Sequence, residues 1–156
     1  MAAVWVFAIL IGVVGGLRSM TAPAVVCWGA HLGWISLAGS PLAFLAHPIA
    51  VALFTLFAVG ELIADKLPRI PARTQIGPLI VRIVLGALCG AALAIAGHAP
   101  LALGAVLGAV GAVLGTYGGY AYRRATSGSG KISDLPVALL EDLVAVGGGL
   151  LLVSRF

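Results

Sequence analysis

Charge is the scarce commodity in this chain. Its 156 residues include nine Lys or Arg and five Asp or Glu, 9% in all, where a soluble domain carries about 25%. So few charged side chains cannot coat a globule of this size, which argues against a soluble enzyme. The net charge of +4 is not gathered into a basic stripe, so nucleic acid is not an expected partner. Cysteine is equally sparse. Cys27 and Cys89 lie in apolar runs without CxxC or Cys/His spacing, and two reduced, packed thiols are expected rather than a disulfide framework or a zinc site. Met1 to Leu17 lacks a basic leader and runs into Arg18 and Pro23 instead of a small-residue cleavage site, so a signal peptide is not expected. Neither a nucleophile motif nor a metal motif accompanies the acids, so neither an enzyme nor a cofactor is expected, and an intramembrane enzyme acting on lipid headgroups, with the acids as general acid and base, stays as an alternative that the carboxylates alone allow.

What the chain has in abundance is apolar sequence, 62% hydrophobic, in runs near the roughly 20 residues that cross a bilayer as helix. Six runs are legible: 2–17, 22–38, 42–64, 76–97, 100–122 and 135–153. The expected fold is all-α, a polytopic transmembrane helical bundle of five to six membrane segments in one domain over 1–156. The first two runs are short and are separated by Arg18-Ser19-Met20-Thr21. They read either as two short spans or as a re-entrant hairpin. Three helices on each side of the Pro68 loop would set two halves in opposite orientations, an inverted repeat as in many small transporters. Glu61 and Glu141, each in the third helix of its half, are the main sequence support for it.

Lys66, Arg69 and Arg73 share one loop and Arg123, Arg124 and Lys131 another, whereas Gly39 to Pro41 and Gly97 to Pro100 carry no basic residue. The positive-inside bias therefore places loops 65–75 and 123–134 in the cytoplasm, with Thr126 to Gly130 as a flexible loop. Trp5, Trp28 and Trp34 read as interfacial residues, and His31, His47 and His98 as residues of the opposite face or of loops. Gly104, Gly108, Gly111, Gly115 and Gly119 recur every three or four residues, as do Gly86 with Gly90 and Gly12 with Gly16. Such faces let helices approach closely, within one chain or across a homodimer.

Ionisable residues inside apolar runs carry the functional signal, since each costs about 2.5 to 3.5 kcal/mol at a helix centre. They are Arg18, Glu61, Asp65, Arg82, Glu141 and Asp142. The helical rise puts Glu61, Arg82 and Glu141 roughly 8 to 9 Å inside the charged end of their segments, at one level. Asp65 lies one turn from Glu61 on the same face. Glu141 and Asp142 point about 100° apart and cannot share one neighbour. If Arg18 and Arg82 each pair with one acid, two acids need a proton, a metal cation, a substrate cation or water. Ser19 and Thr21 are polar groups at a helix break before Pro23 and are expected to leave backbone groups for a ligand.

Five strings occur in order: Gly16-Leu17-Arg18-Ser19-Met20-Thr21-Ala22-Pro23; Glu61 to Pro68 with Pro71-Ala72-Arg73-Thr74; Arg82-Ile83-Val84 running to Gly86 through Gly90; Gly115-Thr116-Tyr117-Gly118-Gly119; and Ala138-Leu139-Leu140-Glu141-Asp142. Together they resemble the bacterial integral membrane family filed as domain of unknown function 4126, over nearly the whole chain. The resemblance implies a bacterial inner-membrane protein and supplies no substrate. Its motif residues are the same six that depth selects.

The expectation is a small secondary transporter or permease in a lipid bilayer, acting on a small ion or solute. Glu61, Asp65, Glu141 and Asp142 would bind or couple a cation or proton, and Arg18 and Arg82 would serve as counter-ions or anion-binding groups. The alternative is a structural or assembly protein whose charges fix helix register.

Overall fold

The computed structural model describes residues 2–66, 74–127 and 134–156, and among them there are helices and no strand. In order they are α1 (Ala2–Leu17), α2 (Thr21–His31), a 3₁₀ turn (Ala43–Ala46), α3 (Pro48–Ala64), α4 (Ile76–Ala96), α5 (Leu101–Ser127) and α6 (Asp134–Ser154). Residues 67–73 and 128–133, the greater part of the two basic loops, lie outside the described residues.

Proline sets several of these starts. Pro23, Pro48, Pro78 and Pro136 all fall within the first three residues of a helix, where the missing N–H has no intrahelical partner to lose. The His47 ring also caps α3 by accepting from the Ile49 amide at 3.3 Å. Between α4 and α5 the reversal is tight, with His98 in the left-handed region at φ 54°.

Three helices, α4, α5 and α6, are long and apolar enough to cross a membrane, and α1 and α3 are shorter apolar helices. The chain is a membrane protein. Two apolar runs turn out to be only partly helical. The run 22–38 is helix as far as His31, and 42–64 is helix from Pro48 after its 3₁₀ turn. Gly33 and Gly39, at φ 76° and 73°, turn the chain between them in a conformation that costs glycine little. Ile35, Leu37 and Leu45 are nevertheless buried: hydrophobicity there reports burial, not helicity.

α2 folds back along α1 as a hairpin. A Cβ on Gly15 would meet the Ala22 side chain at 3.4 Å, and residues 33–36 line the same cavity as Ala3, Val4 and Phe7 from the start of α1. α2 has 11 residues, about 16 Å by the helical rise, so it falls short of a span.

The glycine faces build a three-helix centre from α1, α4 and α5. Gly12 and Gly16 lie against Gly108, Ala112 and Gly115, while Gly86 and Gly90 face Gly104 and Gly108. A methyl group at Gly108 would overlap the Gly86 carbonyl oxygen. These faces are thus occupied within the chain, and a dimer seam on them would have to displace α1 or α4. Exchanging the two halves would map the extensive α1–α5 and α4–α5 packing onto α2–α4 and α1–α2, which pack far less. The halves do not pack as equivalents, because glycine stripes of this density are confined to α1, α4 and α5 while α2 is only 11 residues long.

Candidate functional site

The direction of each helix brings the C-terminal ends of α1, α3 and α5 and the N-terminal ends of α2, α4 and α6 to one end of the bundle. All six sequence-selected charges gather there. Arg18, in the α1–α2 turn and fully buried, is ion-paired with both Asp65 and Asp142. Asp142 also meets Lys66 at 2.8 Å, and Lys66 donates to the Leu62 carbonyl at 2.7 Å. Asp65 lies 4.0 Å from Arg123, which in turn pairs with buried Glu141 at 2.9 Å. The charges form a continuous alternating chain, Glu141 to Arg123 to Asp65 to Arg18 to Asp142 to Lys66, which ties α6, α5, α3 and the α1–α2 turn together.

A second pair grips the helix break. The Glu61 carboxylate accepts from the Ser19 amide at 2.8 Å, the Ser19 hydroxyl at 2.7 Å and the Met20 amide at 2.8 Å. Arg82, 4% exposed, lies 3.5 Å from Glu61 and donates to the carbonyls of Gly16 and, at 3.1 Å, Leu17. Carbonyls at a helix C-terminus and amides at a helix N-terminus lack intrahelical partners and carry opposite partial charges. The break therefore presents a negative side to Arg82 and a positive side to Glu61. Buried Thr116 adds a bond from α5, donating to the Ala112 carbonyl at 2.8 Å and the Gly16 carbonyl at 3.3 Å.

Several readings of the sequence hold in this geometry. Glu61 and Asp65 both face the cluster from one side of α3. Glu141 and Asp142 take different neighbours, as their 100° separation requires. Ser19 sits at the break with its hydroxyl engaged. Thr21 is buried, 2% exposed, and its hydroxyl finds no hydrogen-bond partner among the described residues.

Two expectations are corrected. The first is that two acids lack a cationic partner; the cluster instead sets Arg18, Lys66, Arg82 and Arg123 against its four carboxylates. The reason lies in α5, which continues through Arg123 to Ser127, so that Arg123 faces Glu141 from a helix and not from a loop. Lys66, just past the α3 end, reaches across to α6. The second is that the break leaves backbone groups for a ligand; the amides of Ser19 and Met20 and the carbonyls of Gly16 and Leu17 are taken by Glu61 and Arg82.

Lys66, Arg123 and Thr116 were not singled out by depth. Arg123 lies 18 residues before Glu141, and extending run 100–122 by one helical turn would have marked it. Among the described residues no group of three or more His, Cys, Asp or Glu side chains converges as a metal site. Interleaved guanidiniums fit that result, because they keep the carboxylates from sharing one cation. The cluster is suited to holding the helix ends together by charge, with each carboxylate set against a cation.

No curated protein and no solved structure matches the chain. A family model does, over residues 6–154, which spans every charge in the cluster. The chain accordingly belongs to the family described as Domain of unknown function (DUF4126).

Proposed function

We propose that this protein is a small secondary transporter or permease of the bacterial inner membrane, with its charged end in the cytoplasm, in which protonation of the buried carboxylates is coupled to movement of a small ion or solute. The reading makes it a carrier and not an enzyme. The observation that carries it is the grip of Glu61 and Arg82 on the two sides of the α1–α2 break. In many transporters the free ends of broken helices address ions and substrates; here they address Glu61 and Arg82, so a change of charge on either side chain alters the hold on the break, and ionisable residues at membrane depth are costly enough to mark function.

In this reading the coupled species is a proton and not a metal ion, and charge balance supports it. With four cations against four acids, a metal ion would have to displace a guanidinium or ammonium group. A proton neutralises a carboxylate in place. On Glu61 it would remove the charge that three donors and Arg82 address, loosening α3 from the hairpin turn. On Glu141 it would release Arg123 toward Asp65. Glu61 and Glu141 are therefore the coupling acids, Asp65 and Asp142 hold the lattice, and Arg18 and Arg82 are the counter-ions.

Protein reconstituted in vesicles that enclose a pH-sensitive dye should carry protons above the rate of empty vesicles, and Glu61→Gln should return the rate to that baseline. Unchanged flux in a folded Glu61→Gln protein would remove the assignment.

Complete pairing also favours a second reading, in which the cluster only fixes helix register and partner choice. It expects the joint removal Arg123→Leu with Glu141→Leu to leave both folding and cellular function intact.

A further inference from the structure

α5 and α6 touch little along their length, and beside the charged end the seam between them opens into a cavity of about 320 Å³. Gly118, Gly119 and Tyr122 of α5 face Leu140, Glu141 and Val144 of α6 across it, with Leu17 contributed by the end of α1. A Cβ on Gly118 would meet nothing within 4 Å. Tyr122, Leu140 and Val144 are exposed on the outer surface of the bundle, so the mouth lies on the surface that meets lipid. Within this apolar lining one ionised side chain is present among the described residues, that of buried Glu141.

From these observations we infer that the cleft is a binding site for a monovalent organic cation, a quaternary or protonated amine with an apolar body, whose charge rests beside the Glu141 carboxylate. Shape and chemistry separate this occupant from others. The lining spans positions 118–122 of α5 and 140–144 of α6, about one helical turn or 6 Å of each, so it is a pocket closed along the helix axis and not a furrow along the seam. A docked helix or a lipid chain runs along several turns, and neither an apolar helix nor a hydrocarbon chain offers a partner to a buried carboxylate. A hard metal ion takes about six oxygen ligands, where this lining offers one carboxylate. An organic cation meets the leucine and valine walls with its apolar body, and Tyr122 supplies an aromatic ring of the kind that attracts such cations.

Arg123 is placed to yield the position. Its Nε holds Glu141 at 2.9 Å. Its Nη2 is buried without a hydrogen-bond partner among the described residues and lies 4.0 Å from Asp65. Turning toward Asp65 completes a bond that this nitrogen lacks while an incoming cation takes its place at Glu141. A proton on Glu141 and a monovalent cation beside its carboxylate leave the cluster with the same net charge, so one exchanges for the other without altering the remaining pairs. That exchange rests on the transporter reading, whereas the site is measured by binding alone, so failure of one is distinguishable from failure of the other.

The test uses full-length protein in phosphatidylcholine nanodiscs, titrated calorimetrically against empty nanodiscs with phenyltrimethylammonium or with benzenesulfonate, a phenyl ion of opposite charge. Saturable binding of the cation at one per chain, and none of the sulfonate, is expected. Glu141→Gln removes the charge, and Gly118→Leu fills the cleft while leaving every charge in place. Each should weaken cation binding by at least about tenfold, as loss of one partner of a charge pair does, and whichever variant keeps wild-type helicity decides. Gly60→Leu, on a face of α3 as open as that of Gly118, should bind as wild type does. Sulfonate bound as tightly as the cation, or wild-type affinity in folded Glu141→Gln or Gly118→Leu protein, would overturn the site. So would absence of cation binding by wild type, the result expected if a second copy of the chain or a lipid fills the cleft.

Discussion

Arg18 is the residue on which the charged layer turns. It is fully buried with Asp65 and Asp142 on either side, and a buried pair that loses one partner is destabilised by about 3 to 5 kcal/mol because the other charge is stranded. Arg18→Leu should therefore lower the thermal midpoint in detergent more than any single substitution of an exposed loop charge. Glu61→Gln keeps the shape but sets an NH₂ group among the three donors of Ser19 and Met20. A loss of about 1 to 3 kcal/mol is expected, and Ser19→Ala, which removes one donor to a charged acceptor, should cost about 1.5 to 3 kcal/mol. Thermal melts of these two variants, read alongside Arg18→Leu, check the ranking. Depth along each apolar run was enough to select Arg18, Glu61, Asp65, Arg82, Glu141 and Asp142. It could not reveal that Arg82 holds the carbonyls of Gly16 and Leu17, since backbone partners leave no trace in residue type.

Among the elements, packing separates two groups. α1, α4 and α5 interlock through glycine, whereas α3 and α6 lean on a short α2. Gly108 shows the consequence, because a methyl there meets backbone of α4, and overpacking of that kind costs about 1 to 3 kcal/mol. Gly148→Ala, on an α6 face with nothing within 4 Å, should change stability by no more than about 0.5 kcal/mol. The two alanine variants, compared by thermal unfolding in one detergent, are expected to differ by at least that margin. Joint removal of a matched pair tests which acid belongs to which cation. Arg123→Leu with Glu141→Leu should be better tolerated than either single change, as expected for a buried pair replaced by apolar groups. Helix identity was readable from apolar runs, and Gly12, Gly16, Gly86, Gly90 and Gly108 were readable as close-packing positions. The end of α2 at His31 was not, because Ile35 and Leu37 are buried without being helical and an apolar run cannot distinguish the two.

For the whole molecule, the scarcity of charge acquires a definite meaning. Of the fourteen charged residues, eight form one neutral cluster joining every helix end at one side of the bundle. The sum over the chain, +4, therefore comes from the residues outside the cluster, Arg69, Arg73, Arg124, Lys131 and Arg155 against Asp134. This division was only half legible beforehand. Lys66 and Arg123 sit where sequence marks a loop boundary, and only the three-dimensional path of α5 and the α3 end turns them inward. Their presence converts an apparent excess of acid into a balanced lattice, and of the cation or proton expected from the sequence the proposed function keeps the proton.

The most direct test of that coupling is the current evoked by a rapid pH change on proteoliposomes adsorbed to a supported membrane, since it detects proton binding and transfer without a known solute. Wild-type protein should give a transient charge displacement that empty liposomes lack, and folded Glu61→Gln protein should lose most of it. Equal transients from the two proteins, or none from wild type above the lipid background, would contradict a proton-coupled role for the cluster.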